Sequence, residues 1–446
     1  MTNKNLEILN EIVKNALKKG ADQAEAICYD AKGSSISCRM GKIEENEAYE
    51  TSAIGIRVFS NKKQVSLSSS GNSAEIADKL LNRALDMVKL VPDDPFCGLA
   101  SKEELFNQTE IDLELYDDFE PDGKLLSQTA LETENIALNN PKIVNSEGAG
   151  IGYSKSSIEI AASNGFSSSY QRSGSFISLS VIAGNDKDKE REYDSHSSVF
   201  FSDLDSPETI ANNAVTRAIE LLDAQKIKTC EMPVIFESRV ATSLLSHFAS
   251  AISGVRIARG ASFLKDFMNQ KIFNSEVNII DNPLIKKGRK SSIFDAEGLP
   301  CQKVNMVENG LLKNWFLDLA SARQLNLPPL GQAAIRLGAS PCPSPSNLYI
   351  ANGSISLNDI AQDYKEIFLI TSLSGQGVNL TNGDYSRGAK GFILQNGQKA
   401  YPVNEVTISG NLIDIFKNIT PLNDLDFRYS FNSPSLFINK MTIAGK

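Results

Sequence analysis

Histidine is nearly missing from this chain: His196 and His247 are the only two in 446 residues. So sparse a supply of imidazole excludes a His-rich zinc site. Cysteine does not make up the difference. The six, at positions 28, 38, 97, 230, 301 and 342, include no C-x-x-C pair, which removes the zinc knuckle and the dithiol redox motif and leaves isolated thiols of a reducing compartment. Cys301 and Cys342 would each need a nearby His to act as nucleophiles. No stretch reaches the roughly 18 consecutive apolar residues of a membrane helix. The start, "MTNKNLEILNEIVKNALKKGADQAE", carries neither a secretory signal nor an anchor, so a cytoplasmic protein without a membrane partner is expected. Positive charge is not in excess either. Lys and Arg number 45 against 54 Asp and Glu, a formal net charge of -9, which repels nucleic acid and makes it an unexpected direct ligand. The nucleophile elbow G-x-S-x-G and both glycine-rich nucleotide signatures are absent, and no acidic cluster has the spacing of a carboxylate cation site.

What is present is an alternation of helical and strand-like periods. Leu6, Leu9, Ile12, Val13, Ala16 and Leu17 lie at helical spacing, and "KKG" ends that helix. "AEAICYD", "SSISCRMGKI", "YETSAIGIRVF" and "KQVSLSSS" read as strands, with turns expected at "AKG" and "NKK". A helix follows from about Ser73 to Leu90. A similar order recurs downstream, where "SSIEIAASNGF", "SYQRSGSFISLSVIAG" and "REYDSHSSVFFS" precede the helical "SPETIANNAVTRAIELLDA". Either the halves are related units, or both use the same cheap cover for an apolar sheet face. The acidic, Pro-containing 91–123 reads as a connector, and the mixed-charge "GNDKDKEREYD" at 184–194 as a solvated loop tip. After "AQKIKTCEMPVIF", short strands dominate, punctuated by turns at "NGS", "NGD" and "NGQ". The expected fold is α+β: N-terminal antiparallel sheet units covered by helices over 1–100 and 101–228, then a mostly β domain over 229–446 with a few helices.

Two segments invite chemistry. In "SHFASAISG" (246–254), Ala241, Leu244, Leu245, Phe248 and Ile252 define an amphipathic helix that carries a single His. A helical zinc peptidase site needs a carboxylate beside the first imidazole and a second imidazole about a turn on. Here those places hold Phe248, Ala251 and Ile252, so His247 is expected to be a packed or surface residue. The glycine-rich "SLSGQGVNLTNGDYSRGAKGF" (372–392) precedes a strand pattern rather than a helix, which argues against a phosphate cradle. Its glycines allow tight turns or close backbone approach. As a loop from 375 to 388 beside strand edges it is a candidate lining for a peptide cavity, with Gly375, Gln376, Gly377, Gly383, Asp384 and Arg387 as the residues of interest.

Longer stretches carry a resemblance. "DDPFCGLAS" at 93–101, "KIKTCEMPVIFESRVATSLLSHFASAISGVRIARGASFLKD" at 226–266, "LDLASARQLNL" at 317–327, "GVNLTNGDYSRGAKGFILQNGQKAYPVNEVTISGNLIDIF" at 377–416 and "MTIAG" at 441–445 resemble the TldD/PmbA family of cytosolic peptidases, in its PmbA (TldE) branch, over nearly the whole chain. The resemblance implies a heterodimer. Its TldD branch carries H-E-x-x-x-H on the equivalent helix and a Cys near the C-terminus, and cleaves unfolded or small peptides in a cavity that both subunits enclose. Here His247 matches the first His, Phe248 stands at the Glu and Ile252 at the second His, while the tail "RYSFNSPSLFINK" has no Cys. The general base and two of three metal ligands are therefore missing. The resemblance implies a chain with no catalytic residue, metal or other cofactor of its own, zinc in a TldD-like metallopeptidase partner, and peptides as substrates. The alternative is a homodimeric peptide-binding or chaperone-like protein without peptidase activity.

Overall fold

The computed structural model describes residues 2–107, 111–185 and 187–446. The fold is α+β. Helix α1 (Thr2–Lys18) leads into strands β1 (Gln23–Arg39), β2 (Lys42–Ser60) and β3 (Lys63–Ser70), closed by helix α2 (Ala74–Val88), whose Ser73 cap accepts from the Ile76 N–H. The order helix, three strands, helix then repeats as α3 (Gly123–Leu138), β4 (Ile143–Ala162), β5 (Ser167–Gly184), β6 (Lys189–Ser198) and α4 (Pro207–Glu220). All six strands form one antiparallel sheet in the order β3-β2-β1-β4-β5-β6, so the two sets meet at the β1–β4 pair.

Side-chain alternation assigns the faces. Ala24, Ala26 and Cys28 of β1 pack with Leu9 and Leu81 under α1 and α2. Ile36 and Cys38, of the same parity, pack with Leu126 and Ile210 under α3 and α4. Both helix pairs thus cover one face of the sheet at its two ends. Ile27, Phe59 and Ile160 on the other face meet Leu99 and Phe294.

Two expectations need correction, and helix α3 is an element the sequence did not announce. No turn occurs at "AKG": β1 runs straight through it, and Gly33 is required because a Cβ there would lie 2.5 Å from the Tyr153 carbonyl oxygen on the neighbouring strand. The turn comes later, at Met40 and Gly41, both with positive φ. The described part of 91–122 carries only a single helical turn at Lys102–Glu104, residues 108–110 of that connector lying outside the described residues, but α3 begins at once after its Asp122 cap. The 184–194 run is not a loop tip. Asp186 lies outside the described residues, but residues 189–194 belong to β6 and turn Glu190, Glu192 and Asp194 inward.

Those carboxylates tie the N-terminal sheet to the C-terminal region. Lys390 Nζ reaches Glu190 at 3.2 Å and Glu192 at 2.9 Å. Arg217 of α4 pairs with Asp194 at 2.8 Å, and Arg239 approaches Glu192 at 3.5 Å.

The C-terminal region is built on strand β7 (Cys230–Phe236), which lies between the strands Glu366–Val378 (parallel) and Leu436–Ala444 (antiparallel). Strands Asp384–Gln395 and Gln398–Asn411 extend this sheet, and pairing of Thr407–Ser409 with Thr442–Ala444 closes it into a barrel. Phe236, Phe368, Tyr385, Ile408 and Ile438 belong to the core that packs inside it.

A buried carboxyl cluster sits where this region meets β1 and β2. Glu25 and Arg57 pair at 3.1 Å. Asp295 accepts the main-chain N–H groups of Glu297, Leu299 and Ala333, and Glu297 accepts that of Leu319 at 2.8 Å. Burial raises the pKa of both Asp295 and Glu297 above the ordinary carboxylate range. A carboxyl raised in the folded state holds a proton that the unfolded chain has released, so its contribution to stability is full below the unfolded value and is lost as pH rises through the folded one. The thermal midpoint is therefore expected to fall between about pH 5 and pH 8.5, and Glu297→Gln to remove on the order of 1–2 kcal/mol of that dependence. Parallel curves for the two proteins in calorimetry across this range would contradict the assignment.

Candidate functional site

Helix α5 (Ser238–Ala251) follows β7 directly. Its stripe of Ala241, Leu244, Leu245 and Phe248 recurs at helical spacing and faces the C-terminal core. The first turn is anchored by the Ser238 N–H, which donates to Ser435 Oγ at 3.1 Å; at the other end the Ile252 N–H donates to the Phe248 carbonyl.

The three positions singled out in the sequence have different surroundings. Phe248 is 0% exposed, with its ring edge-on to Phe273 at 5.5 Å and Phe416 at 6.1 Å. Ile252 is also fully buried. His247 is half-buried and meets Tyr385 edge-on at 6.1 Å between ring centroids. Among the described residues, neither His247 Nε2 nor Tyr385 Oη has a hydrogen-bond partner. Burial, reinforced by the Arg387 charge, pushes the His247 pKa below its ordinary value and keeps the ring neutral at physiological pH. Burial likewise raises the Tyr385 phenol. A zinc site needs convergent nitrogen, sulfur or carboxylate donors. These three positions offer one imidazole, a phenyl ring and a butyl group, so the residues do not fit a zinc ion. Among the described residues, no group of three or more His, Cys, Asp and Glu side chains is placed to hold a metal.

The segment 375–388 is a β-hairpin and not a loop. Strands Glu366–Val378 and Asp384–Gln395 pair across it, with the register shifting between Ser374 and Gly377. A Cβ at Gly377 would lie 2.1 Å from the Ser386 carbonyl oxygen, so close strand approach demands glycine there, whereas Gly375 and Gly383 have positive φ. Gly375, Gln376, Gly377 and Asp384 are exposed. Arg387 donates through Nε to the Ser374 carbonyl at 3.0 Å. Of the six hairpin candidates, Arg387 is the one whose charge reaches His247. Tyr385, two residues before it on the same strand face, was the residue sequence reading missed. Its signal was the period-two alternation through Asp384–Gln395.

Models of three PmbA/TldA metallopeptidase domains match in order: domain 1 at residues 24–88, the central domain at 115–222 and the C-terminal domain at 229–445. The Escherichia coli O157:H7 protein named metalloprotease PmbA is 33% identical over 446 residues, covering 99% of this chain and 97% of its own. The chain belongs to the PmbA/TldD family. A PmbA homologue from Haemophilus influenzae is 34% identical over 97% of this chain and 94% of its own. The crystal structure of TldE from Thermococcus kodakarensis superposes with a TM-score of 0.87 at 19% identity, covering 98% of this chain and 100% of that one, a likeness of fold. In this family member helix α5 buries its apolar stripe in the C-terminal core. No described helix is long and apolar enough to cross a membrane.

Proposed function

We propose that this chain is the subunit lacking a metal site in a TldD/TldE-type heterodimeric zinc metallopeptidase of the cytoplasm, which degrades or matures unfolded or small peptides. One observation carries the reading: Phe248 and Ile252, at the positions of the general base and the second imidazole, are both 0% exposed in the apolar core. A water molecule is not activated there. Zinc and the catalytic residues belong to a TldD-like partner, and this chain contributes a wall of the peptide chamber, with the 366–395 hairpin beside it. The names of its relatives support metalloprotease chemistry for the assembly. Affinity capture of the tagged full-length chain from its native cell is expected to recover a protein with H-E-x-x-x-H. Capture of the chain only with itself, in the presence of that protein, would favour the homodimeric peptide binder instead.

A further inference from the structure

The edge of β5 opens halfway along its length. Strand β6 pairs with it only from Ser175 onward, while β4 pairs with it back to Ser167, leaving Ser167–Gly174 with one strand neighbour. In an antiparallel ladder both main-chain groups of a residue face the same neighbour, and those of the next residue face the other way. Two contacts fix the phase. The Ala162 N–H donates to the Phe166 carbonyl within the β4–β5 hairpin, and the Ser173 N–H donates outward to the Leu115 carbonyl. Ser169 and Gln171 therefore turn their N–H and C=O groups to the open side, where no main-chain partner occurs among the described residues.

That side is a cleft of about 650 Å³ between β5, the extended segment 111–116 and residues 292–294. Tyr170, Phe200 and Phe294 line it, with Ile111, Leu113 and Leu115 opposite. A neighbouring cleft of about 330 Å³ shares Tyr170, Arg172, Ser292 and Phe294 with it. Gln332 lines that second space, and its buried Oε1 accepts from no donor among the described residues.

An open strand edge in an apolar, aromatic-walled trough is the arrangement that accepts an extended chain by strand addition. We infer that the Ser167–Arg172 edge of β5 docks an extended peptide with alternating apolar side chains, the main chain pairing with Ser169 and Gln171. About six residues, roughly 20 Å, fill the open stretch. From the proposed function the inference takes only that peptides reach this chain.

Gln171→Pro tests it. The Gln171 N–H faces the open side, so proline there removes a docking donor without breaking a β4–β5 bond. The probe is a fluorescein-labelled hexapeptide, Ser-Leu-Thr-Val-Thr-Leu, read by anisotropy with the purified chain alone. Wild type is expected to bind it. Gln171→Pro, with an unchanged urea midpoint, and N-methylation of alternate residues of the probe on the wild-type chain should each weaken binding by about tenfold or more. Absence of binding by wild type, or equal binding of the methylated and unmethylated probes, would overturn the inference; the second comparison needs no variant to fold. No partner enters the measurement. Edge binding without any heterodimer would leave this inference standing and remove the proposed function, and peptide cleavage by a mixture with wild-type probe affinity in Gln171→Pro would do the reverse.

Discussion

Writing an H-E-x-x-x-H motif into α5, as Phe248→Glu with Ile252→His, should unfold the chain and yield no peptidase. Phe248 is enclosed by Phe273 and Phe416 in the largest apolar core. Loss of a buried phenyl ring costs about 3–5 kcal/mol. A carboxyl placed among those rings has no donor to satisfy it and adds a few kcal/mol more, whether it stays charged or takes a proton. The histidine at 252 adds an unpaired polar ring at a site that is 0% exposed. Together these approach the roughly 5–15 kcal/mol by which domains are stable. Urea titration followed by circular dichroism should show little or no folded baseline. A cooperative transition near the wild-type midpoint, with chelator-sensitive cleavage, would mean that the helix face is adaptable and the core argument wrong. Phe248→Leu separates volume from charge: it should remain folded.

Lys390→Met is the second large effect. Lys390 neutralises Glu190 and Glu192, which are 6% and 3% exposed, and also donates to the Arg191 carbonyl. Glu192 keeps the Arg239 cation at 3.5 Å, whereas Glu190 is left with only the neutral Asn404 amide. Removing one side of a buried ion pair leaves an uncompensated charge and costs about 3–5 kcal/mol, against less than about 1 kcal/mol for an exposed pair. Adding Glu190→Gln, which removes the carboxylate left without a cation, should recover part of the loss. A change in urea midpoint worth under about 1 kcal/mol would show that the β6 carboxylates are solvated after all.

The sequence was most readable where one period ran undisturbed. Helix α5 follows from Ala241, Leu244, Leu245 and Phe248, and the same stripe placed Phe248 and Ile252 on the apolar side. Helix α3 escaped because its inward face includes Thr133 and Glu134. Glu134 is buried to accept the Met40 and Gly41 N–H groups at 2.9 and 2.8 Å, so a polar residue stands where the period wants an apolar one. Strand β6 was hidden for a related reason. Its inward residues are acids, legible as a strand only by the two-residue spacing of Glu190, Glu192 and Asp194, and their cations come from 23 to 234 positions away in the chain. The site divides in the same manner. Local sequence named His247, Phe248, Ile252 and Arg387, but only strand pairing puts Tyr385 against His247. The open half of β5 has no sequence signal at all, since it depends on where another strand stops.

The most direct measurement is zinc content and peptide cleavage of the purified chain, taken alone and then mixed with a partner that carries H-E-x-x-x-H. The chain alone should hold no stoichiometric zinc and cleave nothing above background, while the mixture cleaves and loses activity to a chelator. Stoichiometric zinc with chelator-sensitive cleavage by the chain alone would contradict a helix whose ligand positions are filled by Phe248 and Ile252.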